Sequence, residues 1–187
     1  MMTTPEETAT VRGIAVTVVN TRPDIDTAHV LARLDAALAL VERHQPWRLA
    51  HLRRDLARIL VQRFACRGAY FPESRTCLTE LTFLANPRHS TAEHAASIVH
   101  EGMHARVHRM TRGMTPDGSP ARAREERICR RAELELGLAV PGGRVVVERA
   151  LWALGLGDSA VAPVVDWREA ERRIRDADRG AATDSHG

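Results

Sequence analysis

Two histidines four residues apart, with a glutamate beside the first, give the stretch His100-Glu101-Gly102-Met103-His104, the part of this 187-residue chain best equipped for chemistry. On an α-helix, residues four apart differ by about 40° around the axis and about 6 Å along it, so both imidazoles can offer a nitrogen to one metal ion. Zinc suits such a pair. Glu101 is turned about 100° from His100 and about 60° from His104, which keeps its carboxylate off the ion but within reach of a water that the ion acidifies. It is the candidate general base. Ile98, Val99, Gly102 and Met103 are uncharged, as a buried metal helix requires.

A zinc site needs a third protein ligand. His108 extends the series, but on a straight helix it lies about 12 Å from His100, so the three histidines cannot close on one ion. His108 is expected to be exposed or to support the ligands from behind. The stretch "REERICRRAELELG", about twenty residues on, offers Glu125 and Glu126. With Ala121, Ile128, Cys129, Ala132, Leu136 and Ala139 as the buried stripe of that helix, Glu125 projects near its centre and Glu126 on its flank. Spacing alone therefore favours Glu125. Glu133 follows seven residues after Glu126 on the same face, where it can hydrogen-bond a ligand histidine or pair with Arg130 or Arg131.

The elements that must position these groups can be read along the chain. Gly13–Asn20 is β-branched and of strand length. Residues 26–44 carry Val30, Leu31, Leu34, Ala37, Leu38 and Val41 at helical spacing, and a second helix is expected from Pro46 to about Ala65. A turn or hairpin follows, ending in a strand from Thr76 to Leu84. Ser90 and Glu93 form a capping box that starts the His100/His104 helix, which is expected to reach Arg112 and stop at a left-handed Gly113. "GMTPDGSP" reads as a loop, then comes the glutamate-bearing helix closed by "PGG", and two short helices follow. Residues 1–10 and the tail from Gly180 are expected to lack structure. The expected organisation is a disordered start (1–10), a metal-binding domain (11–156) and a C-terminal helix with a tail (157–187).

The composition excludes several classes of function. All 27 basic side chains are arginine, against 24 acidic ones, and they alternate with acids along helices, unlike the basic stripe with aromatics of a nucleic-acid binder. No segment is apolar enough to span a bilayer, and the start is polar and acidic, unlike a signal peptide. The expected location is the cytoplasm, with no membrane or nucleic-acid partner. Three cysteines without CxxC spacing indicate buried reduced thiols. His51, His89 and His94 are expected at the surface, and Tyr70 is expected to pack, with oxyanion stabilisation as its alternative.

The segments "RTCLTELTFL", "SIVHEGMHARVHRM" and "EERICRRAELELG" together resemble the gluzincin branch of HExxH zinc metallopeptidases, and more closely small, largely uncharacterised bacterial zincin-like proteins. The likeness spans roughly residues 13–141 and is specific only in the HEGMHAR and ERIC segments. Arg106 departs from it, standing where many metallopeptidase helices carry an apolar residue. The resemblance implies an α+β, predominantly helical, zincin-like domain with a small sheet or hairpin. It implies that the glutamate three residues before the cysteine, Glu126, is the third zinc ligand, and it places Glu126 ahead of Glu125. It further implies a zinc-dependent hydrolase acting on a peptide or protein, with the strand before the active helix as an edge that receives substrate or, alternatively, as an ordinary core strand. The alternative is a catalytically silent zincin-fold binding or regulatory protein.

Overall fold

The computed structural model describes residues 6–111, 113, 115, 118–164 and 166–184. Two strands, β1 (Glu6–Val11) and β2 (Ile14–Val19), form an antiparallel hairpin with Val11 opposite Ile14. Arg12 and Gly13, both at positive φ, make its two-residue turn. Residues 6–10, expected to lack structure, are therefore strand, because pairing with the β-branched β2 satisfies their backbone. Residues 1–5 and 185–187 lie outside the described residues.

Helices α1 (Thr27–His44) and α2 (Pro46–Asp55) cross from β2 to β3 (Arg58–Gln62), which pairs parallel with β2. Asp26 caps α1 by accepting the N–H groups of Ala28 and His29 at 3.2 and 3.1 Å. The second helix is shorter than its expected span to Ala65: it ends at Asp55, and Ile59 and Val61 enter the sheet, fully buried. A short apolar run of Ile, Leu and Val matches a helical pattern as well as a strand pattern.

Strands β4 (Gly68–Phe71) and β5 (Thr76–Glu80) form the expected hairpin, and the short helix α3 (Leu81–Ala85) replaces the end of the expected strand. Glu80 terminates β5 by accepting the N–H of Phe83 at 2.6 Å. The sheet order is β1-β2-β3-β5-β4, with β5 parallel to β3 and antiparallel to β4. Thus β5 is an interior strand, buried at all five positions, and the edge beside it is β4.

Helix α4 (Thr91–Thr111) carries the HEGMH segment and begins at the expected capping box: Ser90 N–H donates to Glu93 at 2.9 Å and Glu93 N–H to Ser90 Oγ at 3.2 Å. Gly113 is not left-handed, and Arg112 lies outside the described residues. Helix α5 (Pro120–Ala139) starts at Ser119, whose Oγ accepts the N–H of Arg122. It packs along α4 and against α6 (Arg144–Leu154); α7 (Asp158–Val161) and α8 (Trp167–Asp184) follow. The helix α8 runs through residues 180–184, which were expected to be unstructured.

Val16, Val18, Ile59 and Val61 of the sheet join Val30, Leu34 and Leu38 of α1 and Ala95, Ile98 and Val99 of α4 in one core. Each fully buried Val, Leu or Ile contributes roughly 1.5–3 kcal/mol, so this layer fixes α4 firmly on the sheet. The chain is α+β, mostly helical, with a mixed five-stranded sheet. Among the described residues no helix is long and apolar enough to cross a membrane.

Candidate metal centre between α4 and α5

The HEGMH segment is almost wholly buried, with His100 6%, Glu101 8% and His104 4% exposed. The Nε2 atoms of His100 and His104 stand 3.2 Å apart. Glu126 of α5 faces both, one carboxylate oxygen 3.2 Å from His100 Nε2 and the other 3.3 Å from His104 Nε2. Glu125 contacts the opposite side of His104, its carboxylate 2.5 Å from Nδ1, and Glu133 lies 2.8 Å from His100 Nδ1. Three glutamates of one helix thus surround two histidines of another.

This arrangement differs from the helix stripe expected for α5. Ile128 is 40% exposed and Ala139 is also exposed, while Glu125, Glu126, Cys129, Glu133 and Leu136 face inward. The inward stripe is rotated so that Glu126, Cys129 and Glu133, at i, i+3 and i+7, run down its middle. Counting Ile128 as buried because it is apolar had turned the stripe toward Glu125.

Arginines balance these carboxylates from outside. Arg122 reaches Glu125 at 3.0 Å and Glu126 at 2.9 Å. Arg130 reaches Glu133 at 2.8 Å, with Arg149 of α6 at 3.7 Å. Glu133 therefore lies against a histidine and pairs with Arg130 at only 2% exposure.

The donor set suits a cation. An ionised carboxylate only accepts hydrogen bonds, so Glu125 assigns a proton to His104 Nδ1. An Arg122 nitrogen also stands 3.3 Å from His104 Nδ1, but the Glu125 oxygen is closer by a wide margin. In its neutral form His104 then turns the Nε2 lone pair toward His100 Nε2 and Glu126, as a metal ligand would. Two nitrogens bound tetrahedrally to zinc at 2.0–2.1 Å are separated by about 3.3 Å, which is the spacing found here. Among the described residues His100 Nδ1 makes no hydrogen bond, so its 2.8 Å contact with Glu133 is off line.

The electrostatics point the same way. Burial opposes a charged His100, yet Cys129, Glu126 and Glu133 outweigh it and push its pKa up to about 10. Burial opposes a charged His104 too, and Cys129, Glu125 and Glu126 raise it well above the ordinary value. Burial works to raise Glu126, but His100 and His104 hold it far below the usual carboxylate range. The pocket draws in positive charge, and an ion or protons can supply it.

Glu101 is in a different state. Among the described residues its carboxylate makes no hydrogen bond, and it lies against β4, one oxygen 3.0 Å from where a side chain on Gly68 would begin. Burial raises its pKa, opposed by His100 and His104 and assisted by Glu126 and Glu133. An unpaired carboxylate with a raised pKa next to the two histidines fits a proton acceptor.

The remaining expected groups fall elsewhere. His108 is half-buried and contacts Tyr70 of β4, with ring centroids 6.2 Å apart. It touches neither histidine of the pair, so it does not support the ligands; the helical rise carries it past them. His108 and Tyr70 instead line an open cleft of about 490 Å³ with Asp55, Arg75, Ala105 and Arg109, among others. Of the two roles open to the strand from Thr76, β5 takes that of an interior core strand, and β4 is the edge beside α4. His94, expected at the surface, is 1% exposed, with Nε2 3.1 Å from the Phe83 carbonyl. Cys77 and Cys129 are buried thiols as expected, whereas Cys66 is exposed.

Sequence reasoning overlooked two members of the site. Cys129 lies with His100 and His104 in a group whose ligand atoms are all within 4.8 Å of one another; its spacing of three from Glu126 was the available signal. Arg122 was missed as well, although it stands three and four residues before Glu125 and Glu126. No family profile, curated protein or solved structure matches the chain.

Proposed function

We propose that the protein is a zinc-dependent hydrolase of zincin-like architecture acting on a peptide or protein. The observation that carries this reading is the convergence of His100 Nε2, His104 Nε2 and the Glu126 carboxylate at 3.2–3.3 Å from one another. His100, His104 and Glu126 would hold the ion, with Glu125 and Glu133 fixing the imidazoles from behind. Zinc, when bound, supplies polarisation of a substrate carbonyl and acidification of water.

The chain's own residues do the rest. Glu101 accepts the proton of the attacking water on its carboxylate and returns it to the leaving amine, work that its raised pKa suits. The edge strand β4 offers its outer backbone groups to an extended substrate, and the cleft beside Tyr70 and His108 gives side chains a place to lie. A second reading, a silent binding or regulatory protein of the same architecture, is favoured by the 4–8% exposure of the donors.

The test begins with metal content. Purified protein should carry about one zinc per chain, and His100→Ala should lose it. Glu101→Gln should keep the zinc and lose turnover of a mixed peptide library followed by mass spectrometry. Wild type that holds zinc without turnover favours the silent reading, and wild type that takes up no zinc refutes the hydrolase.

A further inference from the structure

We infer that Cys129 is a fourth protein ligand of the ion, so that in the resting protein the site is closed by the chain itself. The inference rests on the proposed ion-holding role of His100, His104 and Glu126 and not on turnover. Three observations carry it.

Cys129 has no exposure to solvent. Its sulfur and one ring nitrogen from each histidine lie within 4.8 Å of one another. It also follows Glu126 by one helical turn on the inward face of α5, so both side chains approach the histidines from one element. In a tetrahedral site with Zn–S of about 2.3 Å and Zn–N of about 2.05 Å, sulfur and nitrogen stand about 3.6 Å apart, so a shift of about 1.2 Å or less brings the sulfur to that spacing from the histidines. The other cysteines are not alternatives, since Cys66 is exposed and Cys77 lies in β5 beneath the sheet core; neither belongs to the histidine group.

The functional meaning follows from ligand number. Sites with three protein ligands keep a position for water, whereas sites with four are closed and structural. With His100, His104, Glu126 and Cys129 all engaged, the resting protein has no place for water. Cys129 then acts as a brake, and hydrolysis requires it to leave the ion. The burial of the whole donor set agrees with a resting state sealed from solvent.

Cobalt(II) reports the ligand atoms directly. Full-length protein loaded with cobalt should show the visible absorption of a four-coordinate ion together with a near-ultraviolet thiolate-to-cobalt charge-transfer band. In Cys129→Ser, which nearly preserves volume, the visible absorption should remain and the charge-transfer band should vanish. Zinc affinity measured against a competing chelator should fall by at least the roughly 10- to 100-fold that loss of an outer support costs. If the serine variant does not fold, X-ray absorption of the zinc-loaded wild type decides the matter by showing one sulfur at about 2.3 Å or only lighter ligands near 2.0 Å. A visible band that depends on His100 but lacks charge transfer overturns the role of Cys129 and leaves the metal centre standing. Failure to bind cobalt or zinc overturns both.

Discussion

Exchanging each of two adjacent glutamates for glutamine tests the metal centre most directly. Glu125 and Glu126 are both 8% exposed, and each pairs with Arg122, at 3.0 and 2.9 Å. The two substitutions therefore remove the same charge from the same guanidinium and differ chiefly in which face of the histidines they disturb. Glu126 meets both Nε2 atoms, and Glu125 meets only His104 Nδ1. Structural zinc sites bind with roughly 10–16 kcal/mol, so one of four donors accounts for about 2.5–4 kcal/mol. Glu126→Gln should thus weaken zinc binding roughly 100- to 1000-fold. Glu125→Gln removes an outer support and should cost about 10- to 100-fold. The measurement is competition against a chromophoric chelator at fixed pH, with circular dichroism confirming that both variants keep the helical fold. An equal or larger loss in Glu125→Gln would refute the assignment of the two glutamates.

Two further predictions concern stability. Burial lowers the pKa of His94 from 6.5 to about 4, so between those values the unfolded chain binds more protons than the folded one. Stability linked to His94 is present above about pH 6.5 and declines toward pH 4; from pH 7 to 5.5 the loss should be about 1 kcal/mol in urea unfolding, and His94→Gln should lose less than wild type over the same interval. Gly143 sits where α6 meets α5, and a Cβ there would come within 2.0 Å of the Gly137 carbonyl oxygen. Because both partners are backbone, Gly143→Ala should cost about 3 kcal/mol, lowering Tm by roughly 6–12 °C in calorimetry. A Tm within about 2 °C of wild type would mean the two helices do not approach this closely.

Local chemistry made some features legible in the sequence. Ser90 and Glu93 announce the start of α4 because a capping box is a contact between near neighbours. The histidine pair is legible for the same reason. Features that depend on distant parts of the chain were not. Residues 58–62 match a helix by periodicity until pairing with β2 and β5 holds them extended, with Ile59 and Val61 buried on one face. The strand order puts β4 at the edge and β5 inside, and no local pattern in Thr76–Leu84 distinguishes those places. On α5, apolar residue types misled: Ile128 is exposed while Glu126 and Glu133 are buried, an inversion that the facing histidines and the flanking arginines explain. Cys129 was passed over because a buried cysteine is commonly a small hydrophobe, and what distinguishes this one is its pair of neighbours on another helix.

The division of the site between α4 and α5 has a consequence for how the molecule opens. Helix α4 is anchored to the sheet by an apolar layer, whereas the face that α5 turns toward it is rich in carboxylates and needs positive charge to stay there. Ala132, Leu136, Val140 and Val146 tie the α5–α6 pair into the same core, so the unit this pair forms loosens first along its carboxylate-rich face. An ion gripping both helices joins this unit to the rest and stabilises it by RT ln(1 + [L]/Kd). Amide exchange should then slow on loading along α5 and α6, and hardly at all in the sheet.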